Sequence, residues 1–241
     1  MGGGVKLRVA VIRFPGTNCD IDTVRAISLI PGAKCDLIWH ADLVDSSRYD
    51  LIVLPGGFSY SDRLRAGAIA ARLQVMEKIR EFAEDGGLVL GICNGFQILV
   101  ESGLLPGALL PNSSGRFVCK WVRLRIEDNS GPFTNLFDEG EVVSMPIAHK
   151  EGRYHPAVAR SGRGTECLVV MRYVDRHGKV TTASNPNGSE GSIAAVSNRQ
   201  GNVMGMMPHP ERACDPLLSP LGTCDGLRLF LSVANHLGRA S

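Results

Sequence analysis

The sequence predicts an α/β fold with a mostly parallel central sheet, flanking helices and extra strands of mixed direction in the C-terminal half. Two observations carry this. Over the first hundred residues, short β-branched or apolar runs alternate with helical patterns; strands joined through helices of that length need crossovers and lie parallel. From about Phe117 onward, strand patterns follow one another with little helix between them.

Arg8–Phe14 is a β-branched run stopped by Pro15-Gly16, a strand followed by a turn. Asp20–Ile30 places Ile21, Val24, Ile27 and Leu29 near helical spacing until Pro31-Gly32 ends it. Cys35–Trp39 and Leu51–Leu54 read as strands, the second ending at Pro55-Gly56-Gly57. A helix is expected over Ala68–Ala83, closed by Asp85-Gly86-Gly87. Leu88–Ile92 is a buried strand running into Cys93 and a helix over Gly95–Glu101. Further strands are expected in Phe117–Ile126, Glu141–Met145, Leu168–Val174, Ser192–Val196 and Val203–Met207, with a tight connection at Asn198–Gly201. Leu227, Phe230, Ala234 and Leu237 mark one face of a closing helix, Gly226–Leu237.

A chain of 241 residues with 44% hydrophobic and 21% charged content is an ordinary globular composition, which excludes disorder, collagen-like repeats and a coiled-coil rod. No long linker divides it, so one elaborated domain is expected. Lys and Arg exceed Asp and Glu by 26 − 24 = +2 without a basic block, which gives no footprint for nucleic acid or an anionic membrane. No apolar run approaches the ~18 residues of a membrane span. The start of the chain has no secretory h-region, and Lys6 stands where a myristoylation motif wants Ser or Thr. The seven cysteines are odd in number, scattered and without a C-x-x-C pair. That pattern speaks against a disulfide framework or zinc knuckle and for a reducing cytoplasm.

Gly91-Ile92-Cys93-Asn94-Gly95 is a G-x-C-x-G at a strand-to-helix junction, the cysteine form of a nucleophile elbow. The turn sets the sulfur over a helix N-terminus, which favours the thiolate, and aims the Asn94 N–H at an oxyanion. A buried cysteine in a glycine-flanked turn is the plainer alternative. Pro208-His209-Pro210-Glu211 supplies a partner. In extended backbone, residues two apart share a side, so Glu211 can orient one imidazole nitrogen while the other faces the thiol; an incidental strand-end histidine is the alternative. Pro55-Gly56-Gly57 allows close backbone approach to a ligand, or is simply a tight turn. No Walker-type phosphate loop is present, and Gly162-x-Gly164 lacks a third glycine. Cys19 closes a loop at the end of the first strand, which puts it near the expected active-site face, whereas Cys35, Cys119 and Cys167 fall in strand patterns and are expected in the core. His149 and Glu151 sit in a polar loop, Pro146–Tyr154, read as structural or partner-facing.

Three segments together resemble the class I (triad) glutamine amidotransferases: Pro55-Gly56-Gly57-Phe58-Ser59-Tyr60, Gly91-Ile92-Cys93-Asn94-Gly95-Phe96-Gln97 and Met206-Met207-Pro208-His209-Pro210-Glu211-Arg212. Arg13–Asp20, Leu64–Ala70, Pro146–His149 and Asn185–Ser189 extend the likeness, most closely to the glutaminase subunits of phosphoribosylformylglycinamidine synthases. The resemblance implies a flavodoxin-like class I glutamine amidotransferase fold and one amidotransferase domain over residues 1–241, its catalytic core about 8–237. It implies Cys93 as nucleophile, His209 as general base and acid, and Glu211 as its orienter. It also implies oxyanion and glutamine contacts from Gly56, Gly57, Asn94 and Gln97. No metal or cofactor is expected on this chain; ATP and Mg are expected on a synthetase partner, with a small third subunit in the same complex. Ser61, where glycine is usual, and Lys150, where a small residue is usual, depart from the pattern. The rival readings are a stand-alone cysteine hydrolase or peptidase on a related flavodoxin-like fold, and a non-catalytic binding module.

Overall fold

The run Leu51-Ile52-Val53-Leu54 is buried at every position, as a strand covered on both faces must be. In the computed structural model, which describes residues 7–156 and 167–238, it is the middle of the parallel half of a nine-stranded sheet. The readings at Lys6 and at Gly162-x-Gly164 lie outside the described residues. The first half of the chain contributes β1 (Arg8–Arg13), α1 (Asp20–Ser28), β2 (Lys34–Trp39), β3 (Leu51–Leu54), α2 (Val75–Glu84), β4 (Leu88–Ile92), α3 (Asn94–Glu101) and β5 (Ala108–Leu110). The second contributes β6 (Val118–Ile126), β7 (Val142–His149), β8 (Arg153–His155), β9 (Leu168–Val174), β10 (Ile193–Ser197), β11 (Val203–Met206) and α4 (Asp225–His236).

The sheet order is β2-β1-β3-β4-β11-β10-β9-β6-β7. The first five strands in that order pair in parallel, and each later pairing is antiparallel. The two regimes meet at β11, which comes from late in the chain yet lies parallel to β4. α3 packs on β4, β3 and β11. A Cβ on Gly95 would collide with the Leu54 carbonyl, so glycine is what lets the first turn of α3 sit on the end of β3.

Away from the loops at the ends of the parallel strands, the structure departs from the sequence reading in four places. The helix expected over Ala68–Ala83 is a 3₁₀ turn at Ala70–Arg72 followed by α2. The turn buries Ala70 and Ala71 and packs against α3, and Leu73 then becomes extended at ψ 151°; packing overrides a helical pattern there. β7 runs beyond Met145 through Pro146 to His149, which is possible because it is an edge strand and a proline there forfeits no ladder bond. β5 and β8, three residues each, form a separate antiparallel pair that periodicity did not reveal. Finally, Cys119 is exposed and Cys35 and Cys167 are half-buried rather than in the core, because β6 turns alternate residues outward and β2 is an edge strand. The hairpin at Asn198–Gly201 forms as expected, with the Gly201 N–H donating to the Asn198 carbonyl at 3.0 Å.

Candidate active site

Four parallel strands, β1, β3, β4 and β11, end on the same side of the sheet, and ligands of such sheets bind beyond those carboxyl ends. The loops there are Phe14–Cys19, Pro55–Ser59, the Cys93 turn and Pro208–Arg212. Cys93 has φ 51° and ψ −103° and opens α3, a strained conformation of the kind that costs about 1–3 kcal/mol and persists only where surrounding structure enforces it. Its N–H donates to the Met206 carbonyl at 2.7 Å, tying the turn to β11, and its sulfur lies 3.8 Å from the Ala148 carbonyl.

His209 is fixed from three sides. Its N–H donates to the Pro146 carbonyl at 2.8 Å, and its Nδ1–H donates to Glu211 Oε1 at 2.6 Å, with both side chains buried. Its Nε2 is buried without a hydrogen bond of ordinary geometry, and the ring interacts with the Cys93 sulfur. The contact between His209 and Glu211 is the expected one, but Glu211 reaches it from a 3₁₀ turn, Pro210–Arg212, rather than from extended backbone. Burial alone would push the imidazolium toward neutrality. The Glu211 carboxylate, the Cys93 sulfur and Cys19 together outweigh that and hold the His209 pKa well above the ordinary value.

Cys93 and His209 line a cavity of about 130 Å³ with Gly57, Ala148, Phe58 and Phe117 around its rim. A larger hollow of about 500 Å³ lies over β6 and β9 and shares no residue with this cavity. Of the residues expected to bind glutamine or an oxyanion, Gly57 lines the cavity, at φ 154°. Gly56 stands behind it, with its carbonyl accepting from the Cys19 N–H at 3.1 Å. The Asn94 and Gln97 side chains face each other: Asn94 Nδ2 donates to Gln97 Oε1 at 2.9 Å, and Asn94 Oδ1 accepts from the Ser59 N–H at 3.1 Å. Gln97 Nε2 in turn donates to the Glu151 carbonyl at 2.6 Å, so the pair braces the Phe58–Ser59 loop against the loop after β7.

That second loop is clamped by Asn112. Its Nδ2 donates to the His149 carbonyl at 2.9 Å, and its Oδ1 accepts from His149 Nδ1 and the Gly152 N–H, both at 3.1 Å. His149 is therefore structural and buried; burial first, and His209 second, push its pKa down to about 4. Lys150 is exposed. Sequence reasoning assigned no role to Arg212, which lines the cavity and donates from Nη2 to Cys19 Sγ at 3.1 Å. Its position directly after the His-Pro-Glu motif was the available signal.

Residues 6–235 match the CobB/CobQ-like glutamine amidotransferase domain. The chain belongs to that family. Over 96% of its length this amidotransferase is 55% identical to phosphoribosylformylglycinamidine synthase subunit PurQ of Pyrococcus horikoshii, covering 99% of that protein. It is 49% identical to the PurQ subunit of Moorella thermoacetica over 95% of this chain and 96% of that one. Among solved structures, a chain in the PurLQS structure from Thermotoga maritima superposes with a TM-score of 0.85 at 47% identity, covering 97% of this chain and all of that one. Another glutamine amidotransferase from Thermotoga maritima, 14% identical with a TM-score of 0.56 over 97% of this chain and 84% of that one, shares the fold. The flavodoxin-like class I amidotransferase fold expected from the motifs is the one observed. Among the described residues, no helix is long and apolar enough to cross a membrane.

Proposed function

We infer that this chain is the glutaminase subunit of a phosphoribosylformylglycinamidine synthase in purine biosynthesis. It hydrolyses glutamine to glutamate and ammonia. The ammonia passes to a synthetase partner, which converts formylglycinamide ribonucleotide to the formylglycinamidine with ATP and Mg²⁺ bound on that partner. A small third subunit completes the assembly. The observation that carries the reading is Cys93 on a strained turn beside the buried His209–Glu211 pair, in a chain so close to PurQ subunits along nearly its whole length.

Cys93 Sγ attacks the side-chain amide carbon of glutamine as its proton passes to His209. Backbone N–H groups at Gly57 and Asn94 receive the oxyanion, where each donor is worth roughly 10²–10³ in rate. His209 then protonates the departing ammonia and draws a proton from water, whose oxygen attacks the γ-glutamyl thioester and releases glutamate. Glu211 holds the imidazole in the tautomer that leaves Nε2 free toward sulfur. The chain acts as one amidotransferase unit, since Cys93 and His209 come from opposite halves and meet on adjacent strands. The small cavity, below the roughly 300–1,000 Å³ of common ligand pockets, suits a single amino-acid side chain, and the likeness to PurQ subunits along nearly the whole chain speaks against the peptidase alternative.

The deciding experiment replaces Cys93 with alanine in the assembled complex. Glutamine-dependent synthesis is expected to vanish while synthesis from free ammonia persists. Undiminished glutamine use would remove Cys93 from the mechanism, and loss of both activities would break the division of labour.

A further inference from the structure

Cys19 plays no part in the reaction just described, yet its sulfur lies against the same imidazole. It closes the loop after β1, is buried, and precedes α1. Its Sγ, an imidazole nitrogen of His209 and a carboxylate oxygen of Glu211 all lie within 4.8 Å of one another. Glu211 Oε2 is buried with no hydrogen-bond partner among the described residues, so a carboxylate lone pair there is left without a donor. Gly56 keeps the space between the sulfur and the ring open. A Cβ there would stand 3.0 Å from Cys19 Sγ and 3.3 Å from His209 Nδ1.

We propose that Cys19, His209 and Glu211 form a site for a thiophilic divalent cation, Zn²⁺ by its ligand set, whose occupancy holds the glutaminase off. One thiolate, one imidazole and one carboxylate, with a fourth position for water, is a donor set that zinc accepts. Tetrahedral zinc at about 2.3 Å from sulfur and about 2.1 Å from nitrogen and oxygen sets its ligand atoms roughly 3.4–3.6 Å apart. The 2.6 Å Nδ1–Oε1 pair needs to open by less than about an ångström, and the sulfur starts within 4.8 Å of both other ligand atoms. Binding forms Zn–S, Zn–N and Zn–O bonds and oxidises nothing. The Cys19 thiol proton leaves to solvent, and the Nδ1 proton moves to Nε2 or to solvent. Arg212, which donates to Cys19 Sγ at 3.1 Å, also sits 3.5 Å from Asp22, so that carboxylate can keep the guanidinium when the metal takes the sulfur.

The consequence for turnover rests on the glutaminase reading: zinc on Nδ1 and Glu211 removes the orienter and occupies the base, while Cys93 stays free. The site itself does not rest on that reading. Metal-free full-length chain is titrated with Co²⁺ as a spectroscopic stand-in, followed by competition with Zn²⁺. The Cys93→Ala chain is expected to keep one equivalent and the thiolate-to-cobalt charge-transfer band. The Cys19→Ser chain, its fold checked by thermal melting, is expected to lose the band. X-ray absorption of zinc-loaded Cys93→Ala chain should show one sulfur at about 2.3 Å, a result independent of how Cys19→Ser folds. In the assembled complex, the Zn²⁺ concentration that halves each protein's own metal-free glutaminase rate should rise at least about tenfold on Cys19→Ser, the loss expected when a thiolate ligand is removed. A band retained in Cys19→Ser, a band lost in Cys93→Ala, or a sulfur-free zinc shell overturns the site. Site binding without any effect on glutamate release overturns only the inhibitory role.

Discussion

His209 carries opposing influences in one ring. Burial disfavours its charge, and the Glu211 carboxylate at 2.6 Å favours it. Glu211→Gln keeps the shape but removes the charge and allows the wrong tautomer. By comparison with the loss seen for such orienting carboxylates, kcat for glutamate release should fall by about 10³–10⁴ with little change in KM. A loss under about tenfold in initial-rate assays would mean that Glu211 does not orient the base. His149 offers a second test, in stability. Its folded pKa of about 4 lies below the ordinary histidine value of 6.5. Above 6.5 the ring is neutral in both states and nothing is lost. As pH falls from 6.5 to about 4 the unfolded chain binds the proton first, and stability drops by on the order of 3 kcal/mol. Urea midpoints at about pH 7 and about pH 4.5, on either side of the unfolded value, should converge in His149→Asn relative to the parent. An unchanged acid slope would rule out this group as its source.

Among the elements, the loop after β3 concentrates the strain. Tyr60, Ser61, Asp62 and Leu64 all have positive φ, between 52° and 70°, a region that L residues enter at a cost of roughly 1–2 kcal/mol each. At 57°, Ser61 occupies a position where the sequence pattern anticipated glycine. Ser61→Gly should therefore stabilise the chain by about 0.5–1 kcal/mol, after the larger unfolded-state entropy of glycine is subtracted. A rise in the urea midpoint at constant slope reports it, and a fall would show that the Ser61 side chain contributes more than its backbone costs. In α2, which starts later than the sequence suggested, Val75, Met76, Ile79, Phe82 and Ala83 are buried along one face.

At the scale of the whole molecule, the same strained loop borders the cavity through Phe58 and reaches the exposed surface at Leu64. Asn94, Gln97 and the carbonyl of Glu151 brace its start. The hypothesis is that a partner pressing on this surface sets the Gly57 backbone, and with it one oxyanion donor. The isolated chain should accordingly be a poor glutaminase, rising by about 10² or more on assembly with the synthetase, the worth of one oxyanion donor. Equal glutamate release with and without the synthetase would exclude this.

The strands of the parallel half, the turn at Cys93 and the pairing of His209 with Glu211 were legible because each depends on a few adjacent residues: apolar runs bounded by Pro-Gly, glycines flanking a cysteine, a carboxylate two positions from a histidine. The break at Leu73, the passage of β7 through Pro146 and the two short strands β5 and β8 were not, since packing against distant segments decides them. The same holds at the site. Sequence alone selected Cys93, His209 and Glu211 by their motifs. The position of Cys19 after the first strand put it near the active-site face, but only the tertiary structure joined it to Arg212 and turned Asn94 and Gln97 into a brace between two loops. Those contacts join residues far apart in the chain, from Cys19 to Arg212, and arise where the loops after β1 and β11 meet over the ends of β3 and β4. No local pattern encodes that convergence; the order of strands in the sheet does.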